Sequence, residues 1–250
     1  MLFDKTHILF MFISAFLIIG LLIICGLFIK NPKYKNLILK IAAIATVIIH
    51  YSCIYVDYFS TGSANVKNTY ILPVYPCNIA MWLLLIAALI KNKESKTFKV
   101  VAEITFYLGI IGGIAGIAFN ENYGNNPSLR DWDILSGLLS HSTMLFGCIY
   151  LLVGKYIKIR VNNLFSIAIG LVLLFVDGLL VIGLYKLFKL DPPNSMYLLE
   201  PPLSNLPWFN TYLIGLIAIV LFFTITAIYE QLALPKEERW YNKLKLRRNK

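Results

Sequence analysis

Residues 8–29 read ILFMFISAFLIIGLLIICGLFI, a run of 22 residues without a single charged side chain. A bilayer core about 30 Å thick needs roughly 20 apolar helical residues, so this run predicts a membrane-spanning helix. It is longer than the apolar region of a signal peptide, and no small-x-small cleavage motif follows it. We therefore expect this segment to be the first of several spans.

The composition of the whole chain agrees with this interpretation. The 250 residues are 58% hydrophobic and only 14% charged, whereas a soluble domain has about 25% charged residues. A water-soluble globular fold is therefore excluded. Seven segments are long and apolar enough, or nearly so, to cross a bilayer: 8–29, 37–58, 71–90, 100–119, 134–154, 163–188 and 212–231. The sequence thus predicts an all-α polytopic membrane bundle of seven transmembrane helices, in a domain over residues 1–235.

The basic residues predict how these helices are oriented. With seven spans, one side of the membrane receives eighteen Lys and Arg residues and the other side receives five. Because cytoplasmic loops are enriched in Lys and Arg, we expect the N-terminus outside and the C-terminus in the cytoplasm. Residues 236–250, KEERWYNKLKLRRNK, form a basic cytoplasmic tail that should attract anionic lipid headgroups. Nucleic-acid binding is disfavoured, because no recognition motif accompanies the net charge of +10.

A few polar and ionisable side chains lie inside the predicted spans, where such groups are costly and usually functional. They are His50 and Asp57 in the second span, Cys77 and Asn78 in the third, His141 in the fifth and Asp177 in the sixth. Counted at 1.5 Å per residue, the two histidines, Cys77 and Asp177 all lie about 20 Å from the cytoplasmic boundary. They predict one polar layer in the outer half of the bilayer. Glu103 in the fourth span lies nearer the cytoplasmic edge, where we expect it to reach water or a lysine.

The third span begins with an unusual stretch, Ile71-Leu72-Pro73-Val74-Tyr75-Pro76-Cys77-Asn78. Its two prolines discourage a helix before Pro76, and proline suits the first helical position. We therefore expect a regular helix from Pro76 to Ile90, about 22 Å long, preceded by non-helical backbone that dips into the membrane. Cys77 would lie in the first turn, where N–H groups and the helix dipole favour a thiolate and can stabilise an oxyanion.

A cysteine nucleophile needs a general base at the same depth. His141 is the first candidate and His50 the second, with Asp177 or Asp57 orienting the imidazole. The alternative is that Cys77 is a small buried side chain that only packs, which describes the other three cysteines better. The sequence contains no nucleotide or metal motif, so no cofactor and no metal are expected. The glycines of the fourth span (Gly109, Gly112, Gly113 and Gly116) indicate close helix packing.

These residues together resemble a known family. Residues 72–78, His141, the stretch Asn194-Ser195-Met196-Tyr197-Leu198 and the prolines that follow it are similar in order and spacing to the YwaF-like integral membrane family. That family is similar to the eukaryotic transmembrane protein 164, an acyltransferase that acts on phospholipids. The resemblance implies that Cys77 accepts an acyl group and passes it to a lysophospholipid, with His141 as the matching histidine. The chain departs from the family at Tyr75, where members carry a histidine.

The sequence therefore favours a membrane enzyme whose partners are phospholipids and lysophospholipids. Asn78 and Asp57 in the polar layer, and Asn194 and Tyr197 in the outer segment, are expected to bind substrate. The alternatives are a transporter or channel for a small solute and a non-catalytic membrane scaffold. No internal repeat is visible in the sequence, which disfavours the transporter.

Overall fold

The structure, a computed structural model, describes residues 2–62, 72–202, 206–208 and 210–242. Its helices are α1 (Lys5–Phe28), α2 (Pro32–Thr61), α3 (Pro76–Leu89), α4 (Lys96–Ala118), α5 (Glu121–Asn125), α6 (Trp132–Val153), α7 (Phe165–Leu187) and α8 (Thr211–Ala233). Short 3₁₀ turns occur at Val161–Asn163, Ser195–Tyr197 and Lys236–Glu238. The described residues contain no β-strand, so the predicted all-α class is confirmed.

Within the described residues, six helices are long and apolar enough to cross a membrane, and α3 is a shorter apolar helix. These helices correspond to the seven predicted spans, and a polytopic helical bundle is confirmed. The third span is the shortest of them. Its helix has 14 residues, which makes it about 21 Å long. The orientation of the helices across the membrane stays a prediction.

Short polar residues before the helices explain where several of them begin. The capping side chains belong to Asp4, Asn31, Ser95, Asn120, Asp131 and Asn210, and each accepts a backbone N–H from the first turn that follows. These N–H groups have no partner inside the helix, so a capping oxygen stabilises the helix start. The apolar runs alone do not reveal these positions, and α2 and α4 therefore begin four or five residues before the predicted spans.

The C-terminal end of α3 is capped by a lysine from the following loop. The ammonium of Lys93 donates to the carbonyl oxygens of Ala87 and Ala88, at 2.6 and 3.1 Å. It also lies 4.8 Å above the ring of Phe98. Partial burial, and secondarily the charge of Lys40, lowers the pKa of Lys93 to about 8. The loop thus satisfies carbonyls that the end of a helix leaves without partners.

The side chains on the outer faces of α1 and α8 are apolar and exposed. Phe12 and Phe16 of α1 are 71% and 76% exposed, and Leu232 of α8 is 82% exposed. Water would make such continuous apolar faces unfavourable, whereas lipid tails are a suitable solvent for them. The helices themselves satisfy their backbone hydrogen bonds internally, as a membrane requires.

The chain divides into two compact units, Met1–Tyr156 and Ile157–Lys250. In the first unit, α6 packs against α1, α2, α3 and α4, and α3 packs against α2 and α4. In the second unit, the turn at Ser195–Tyr197 packs against α7, and the turn at Val161–Asn163 contacts both α7 and α8. The predicted boundary at residue 235 stays a prediction. Most of the basic tail, residues 243–250, lies outside the described residues.

Glycines let α4 approach its neighbours closely. A Cβ atom at Gly109 would overlap the sulfur of Cys148 in α6. On the side of α3, a Cβ atom at Gly112 would lie 3.3 Å from the Cα of Cys77. Small residues at these positions allow two helix backbones to come together without hindrance. The close packing predicted from the glycine spacing is confirmed.

In the second unit, one buried carboxylate holds the end of α8 to its neighbouring segments. Glu230 is 2% exposed. Its Oε1 accepts the backbone N–H of Val161 at 2.7 Å, and its Oε2 accepts that of Trp240 at 2.9 Å. A carboxylate that accepts two N–H groups is satisfied despite burial. Glu230 therefore fixes the segments that precede α7 and follow α8.

Candidate active site

The site is built around the first turn of α3. Pro76 occupies the first helical position, and Cys77 follows it. Asn78 closes the turn, because its Oδ1 accepts the backbone N–H of Tyr75 at 3.0 Å while its own N–H donates to the Tyr75 carbonyl at 2.9 Å. Before the helix, the N–H of Val74 donates to the carbonyl of Leu72 in a tight turn. The predicted helix start at Pro76 is confirmed.

His141 lies in the middle of α6 and is oriented by its own helix. Its Nδ1 is 2.7 Å from the carbonyl oxygen of Gly137, one turn earlier. Because a carbonyl oxygen only accepts, Nδ1 carries the proton and Nε2 is left as an acceptor. The side chains of His141 and Cys77 lie beside each other. Nε2 of His141 is therefore the ring nitrogen that can accept a proton from the thiol.

Two glycines of α4 make room for this pair. A Cβ atom at Gly116 would overlap the imidazole ring of His141, and a Cβ atom at Gly112 would crowd the backbone of Cys77. The two glycines are four residues apart and so lie on neighbouring positions of one helix face. The face of α4 that carries them thus determines how near Cys77 and His141 come to each other.

A small pocket opens beside the pair. It is lined by Thr46 and His50 of α2, by Cys77, Asn78 and Met81 of α3, and by Ser140, His141 and Met144 of α6. Its free volume for a water-sized molecule is about 10 Å³, which is about the space that one water needs. The structure thus brings together three of the four residues of the predicted polar layer, namely His50, Cys77 and His141.

In the described contacts His141 is oriented by the carbonyl of Gly137, which takes its single Nδ1 proton. Orientation of a histidine by Asp177 or Asp57 stays a prediction. Asp177 belongs to α7 in the second unit. Asp57 belongs to α2, and its side chain lies outside the described residues.

The predicted outer residues organise their own loop. Oδ1 of Asn194 accepts the N–H groups of Leu199 and Glu200, both at 3.1 Å, and its Nδ2 donates to the Glu200 carbonyl at 2.9 Å. Tyr197 has a positive φ of 56°, and its carbonyl accepts the hydroxyl of Thr211 at 2.6 Å. The amide of Asn194 is thus engaged by its own backbone segment. Substrate binding by Asn194 and Tyr197 stays a prediction.

Glu103 was expected to reach water or a lysine. The structure buries it, at 9% exposed, so its surroundings are the neighbouring helices and not bulk water. Pairing with a lysine stays a prediction.

Sequence reasoning indicated no role for His7, which the structure buries completely. Its Nε2 is 2.8 Å from the carbonyl of Ile117 at the end of α4, and its Nδ1 accepts the N–H of Phe3 at 3.1 Å. Asp4 accepts the hydroxyl of Tyr123 at 2.8 Å and the N–H of His7 at 2.9 Å. These hydrogen bonds, led by that from the His7 N–H, lower the pKa of Asp4. The signal in the sequence is an aspartate three residues before a histidine at a helix start.

The fold and the site define a class, a multi-pass helical membrane protein with a cysteine–histidine pair among its helices. In the part of the chain that the structure describes, no group of three or more His, Cys, Asp and Glu side chains is arranged to hold a metal ion. The sequence model of the TMEM164 family matches residues 2–229, so the chain belongs to this family, as its residues predicted. No curated protein and no solved structure matches the chain.

Proposed function

We propose that the protein is a membrane acyltransferase that moves a fatty acyl chain between phospholipids through a thioester on Cys77. One observation carries the proposal: Cys77 and His141 line the same pocket, and the Nδ1 proton of His141 is held by Gly137, which leaves Nε2 to accept the thiol proton. A thiol beside an oriented imidazole is the arrangement that activates a cysteine nucleophile. The position of Cys77 in the first turn of α3 adds the favourable end of a helix dipole.

In the first half-reaction, His141 accepts the thiol proton on Nε2, and the sulfur of Cys77 attacks the carbonyl carbon of a phospholipid ester. A carbon–sulfur bond forms and the ester carbon–oxygen bond breaks. The departing glycerol oxygen takes the proton from Nε2 of His141 and leaves as a lysophospholipid. The gain from such positioned proton transfer is roughly 10²–10⁴-fold.

The second half-reaction reverses these roles. The hydroxyl of an acceptor lysophospholipid gives its proton to Nε2 of His141, and its oxygen attacks the thioester carbon. The new ester bond forms as the carbon–sulfur bond breaks, and the Cys77 thiolate recovers the proton. Gly137 holds the same tautomer through both halves, since its carbonyl always accepts from Nδ1.

The proposed partners are membrane lipids of two kinds. Phospholipid and lysophospholipid are the donor and acceptor, and the exposed apolar helix faces are compatible with a supply of lipid from the surrounding bilayer. Anionic headgroups are the expected partners of the basic tail, at about 1 kcal/mol for each Lys or Arg near the surface. The tail contributes attachment in this proposal and no chemistry.

The test uses the full chain, purified in mixed micelles with a phospholipid whose acyl chain carries an alkyne. A label that hydroxylamine removes is expected on the wild type and is expected to be absent from Cys77→Ala, because the thioester has no other nucleophile. His141→Asn should label about 10²–10⁴-fold more slowly, through loss of the general base. The matched control is Cys148→Ala, which removes another buried thiol and should label like the wild type.

Two results would contradict the proposal. The first is a wild-type chain that acquires no hydroxylamine-sensitive label although it is folded. The second is a label that persists in Cys77→Ala, which would place any thioester elsewhere. Lipid analysis of cells that express the wild type or Cys77→Ala provides the complementary measurement, and identical acyl profiles would argue against phospholipid remodelling.

A further inference from the structure

We propose that Asn78 is a further catalytic residue: its side-chain Nδ2 and the backbone N–H of Cys77 form the hole that binds the oxyanion of the reaction. The inference rests on the proposed function, because an oxyanion arises only when Cys77 adds to a carbonyl group. It assigns to Asn78 a role in the transition state instead of a general contact with substrate.

The orientation of the Asn78 amide follows from one hydrogen bond. The backbone N–H of Tyr75 is a donor, and its partner at 3.0 Å must be the oxygen of the amide. Oδ1 is therefore directed back toward the start of the helix. Nδ2 is the remaining edge of the amide and is the edge available to the pocket, which Asn78 lines together with Cys77 and His141.

The two donors of this hole have no acceptor within the protein. Asn78 is 5% exposed and lines the pocket. The hydrogen bonds of the described residues give an acceptor neither to Nδ2 of Asn78 nor to the backbone N–H of Cys77. Polar groups at such a place are normally satisfied by a protein atom, water or ligand. An oxygen bound in the pocket beside Cys77 is the group that would satisfy both donors.

The proposed reaction requires hydrogen-bond donors beside the sulfur of Cys77. When the sulfur of Cys77 adds to an ester, the carbonyl oxygen acquires a negative charge, and N–H groups that already point at it lower the barrier. The charge appears in both half-reactions, since a tetrahedral adduct forms on the way to the thioester and again on the way out. The Tyr75 N–H that fixes the amide belongs to the main chain, so this orientation does not depend on the phenol at position 75.

The experiment compares two reactions of the same thiol. Acylation by the alkyne phospholipid passes through an oxyanion, whereas alkylation by iodoacetamide displaces iodide and forms none. In Asn78→Ala, acylation should fall roughly 10²–10³-fold relative to alkylation. The variant Asn78→Asp keeps an oxygen for the Tyr75 N–H and loses Nδ2, so its ratio of acylation to alkylation should fall in the same way. Using this ratio cancels any change in the amount of thiolate.

Ser142→Ala is the control, because it removes a buried polar group of α6 that does not line the pocket. Its ratio should equal that of the wild type. If both Asn78 variants keep the wild-type ratio, or only Asn78→Ala loses it, Asn78 acts as a helix cap and the inference is overturned. If the wild type is alkylated at Cys77 but never acylated, the proposed function itself fails.

Discussion

Cys77 and Cys148 both pack against glycines of α4, but their surroundings differ in every other respect. Cys148 lies in the middle of α6, is completely buried and fits against Gly109. Cys77 lies in the first turn of α3 and lines a pocket together with His141. The N–H groups in the middle of a helix are already used by the helix, whereas those of the first turn have no partner inside it.

Glycines of α4 make room for a neighbouring side chain in two different situations. At Gly109 the missing side chain admits a sulfur that only fills space. At Gly112 and Gly116 it admits the thiol of Cys77 and the imidazole of His141. In the proposed function, burial against a glycine is not what makes a cysteine reactive. The helix start and the histidine are proposed to do so, and each can be altered separately.

The largest expected difference is in thiol reactivity. Iodoacetamide should alkylate Cys77 in the folded chain, whereas Cys148 should react only in molecules that unfold. The unfolded fraction of a stable domain is about 10⁻³–10⁻⁶, so Cys148 should react at least about 10³-fold more slowly. Mass spectrometry of peptides with isotopically distinct labels measures both rates. Similar rates for the two cysteines would remove the distinction on which the comparison depends.

The next effect concerns the position of His141. Gly116→Ala should displace the imidazole, because the added methyl group overlaps its ring. A displacement of about 1 Å can cost roughly 10²-fold in rate, and thioester formation on Cys77 should fall accordingly. Gly20→Ala in α1 is the control, since no atom lies within 4 Å of the added group. An unchanged rate of acylation in Gly116→Ala would show that this contact does not position the base.

A smaller effect is expected at Gly109, where close helix packing has no part in the proposed reaction. Gly109→Ala should destabilise the fold by about 1–3 kcal/mol, the usual cost of overpacking, because its methyl group overlaps the Cys148 sulfur. The double variant with Cys148→Ala should recover part of that loss. Thermal unfolding in detergent measures the stability, and labelling of Cys77 in the molecules that remain folded should be unchanged. A loss of labelling without a loss of stability would contradict this separation.

The smallest effect on stability is expected at the C-terminal end of α4, where His7 is hydrogen-bonded to the carbonyl of Ile117. The pKa of Asp4 is lowered from 3.8, chiefly by the N–H of His7 and then by the Tyr123 hydroxyl. A lowered pKa means that this stabilisation is complete above about pH 4 and is lost as the pH falls through the folded value. Thermal unfolding between pH 2.5 and 6 should therefore show a steeper acid loss for the wild type than for Asp4→Asn. Parallel curves would argue against the contribution of Asp4.

Much of this molecule follows from residue patterns whose physics is local. Apolar runs predict the spans because lipid excludes charged side chains, and two prolines predict the start of α3 because each restricts the backbone around it. The shared depth predicted for His50, Cys77 and His141 follows from counting residues along helices of constant rise. These predictions need no knowledge of how one helix faces another.

The features of the site that were not predicted depend on how side chains and helices are oriented, which the sequence does not encode locally. That His141 turns its Nδ1 to Gly137 is a matter of one side-chain rotamer, and an aspartate at similar depth was an equally reasonable partner. Asn194 was assigned to substrate because it lies in the outer segment that carries the family resemblance, whereas the structure shows its amide bound to its own backbone. The burial of Glu103 depends on which face of α4 packs against the neighbouring helices.

The shortness of α3 has a consequence for the approach of a lipid. Its length of about 21 Å is roughly 9 Å less than the hydrocarbon thickness of an ordinary bilayer, so the non-helical residues before Pro76 have to complete the span. Phospholipid esters lie at the boundary of that hydrocarbon layer. For the proposed chemistry, the depth at which α3 begins therefore sets how far a donor ester has to move from that boundary to reach Cys77.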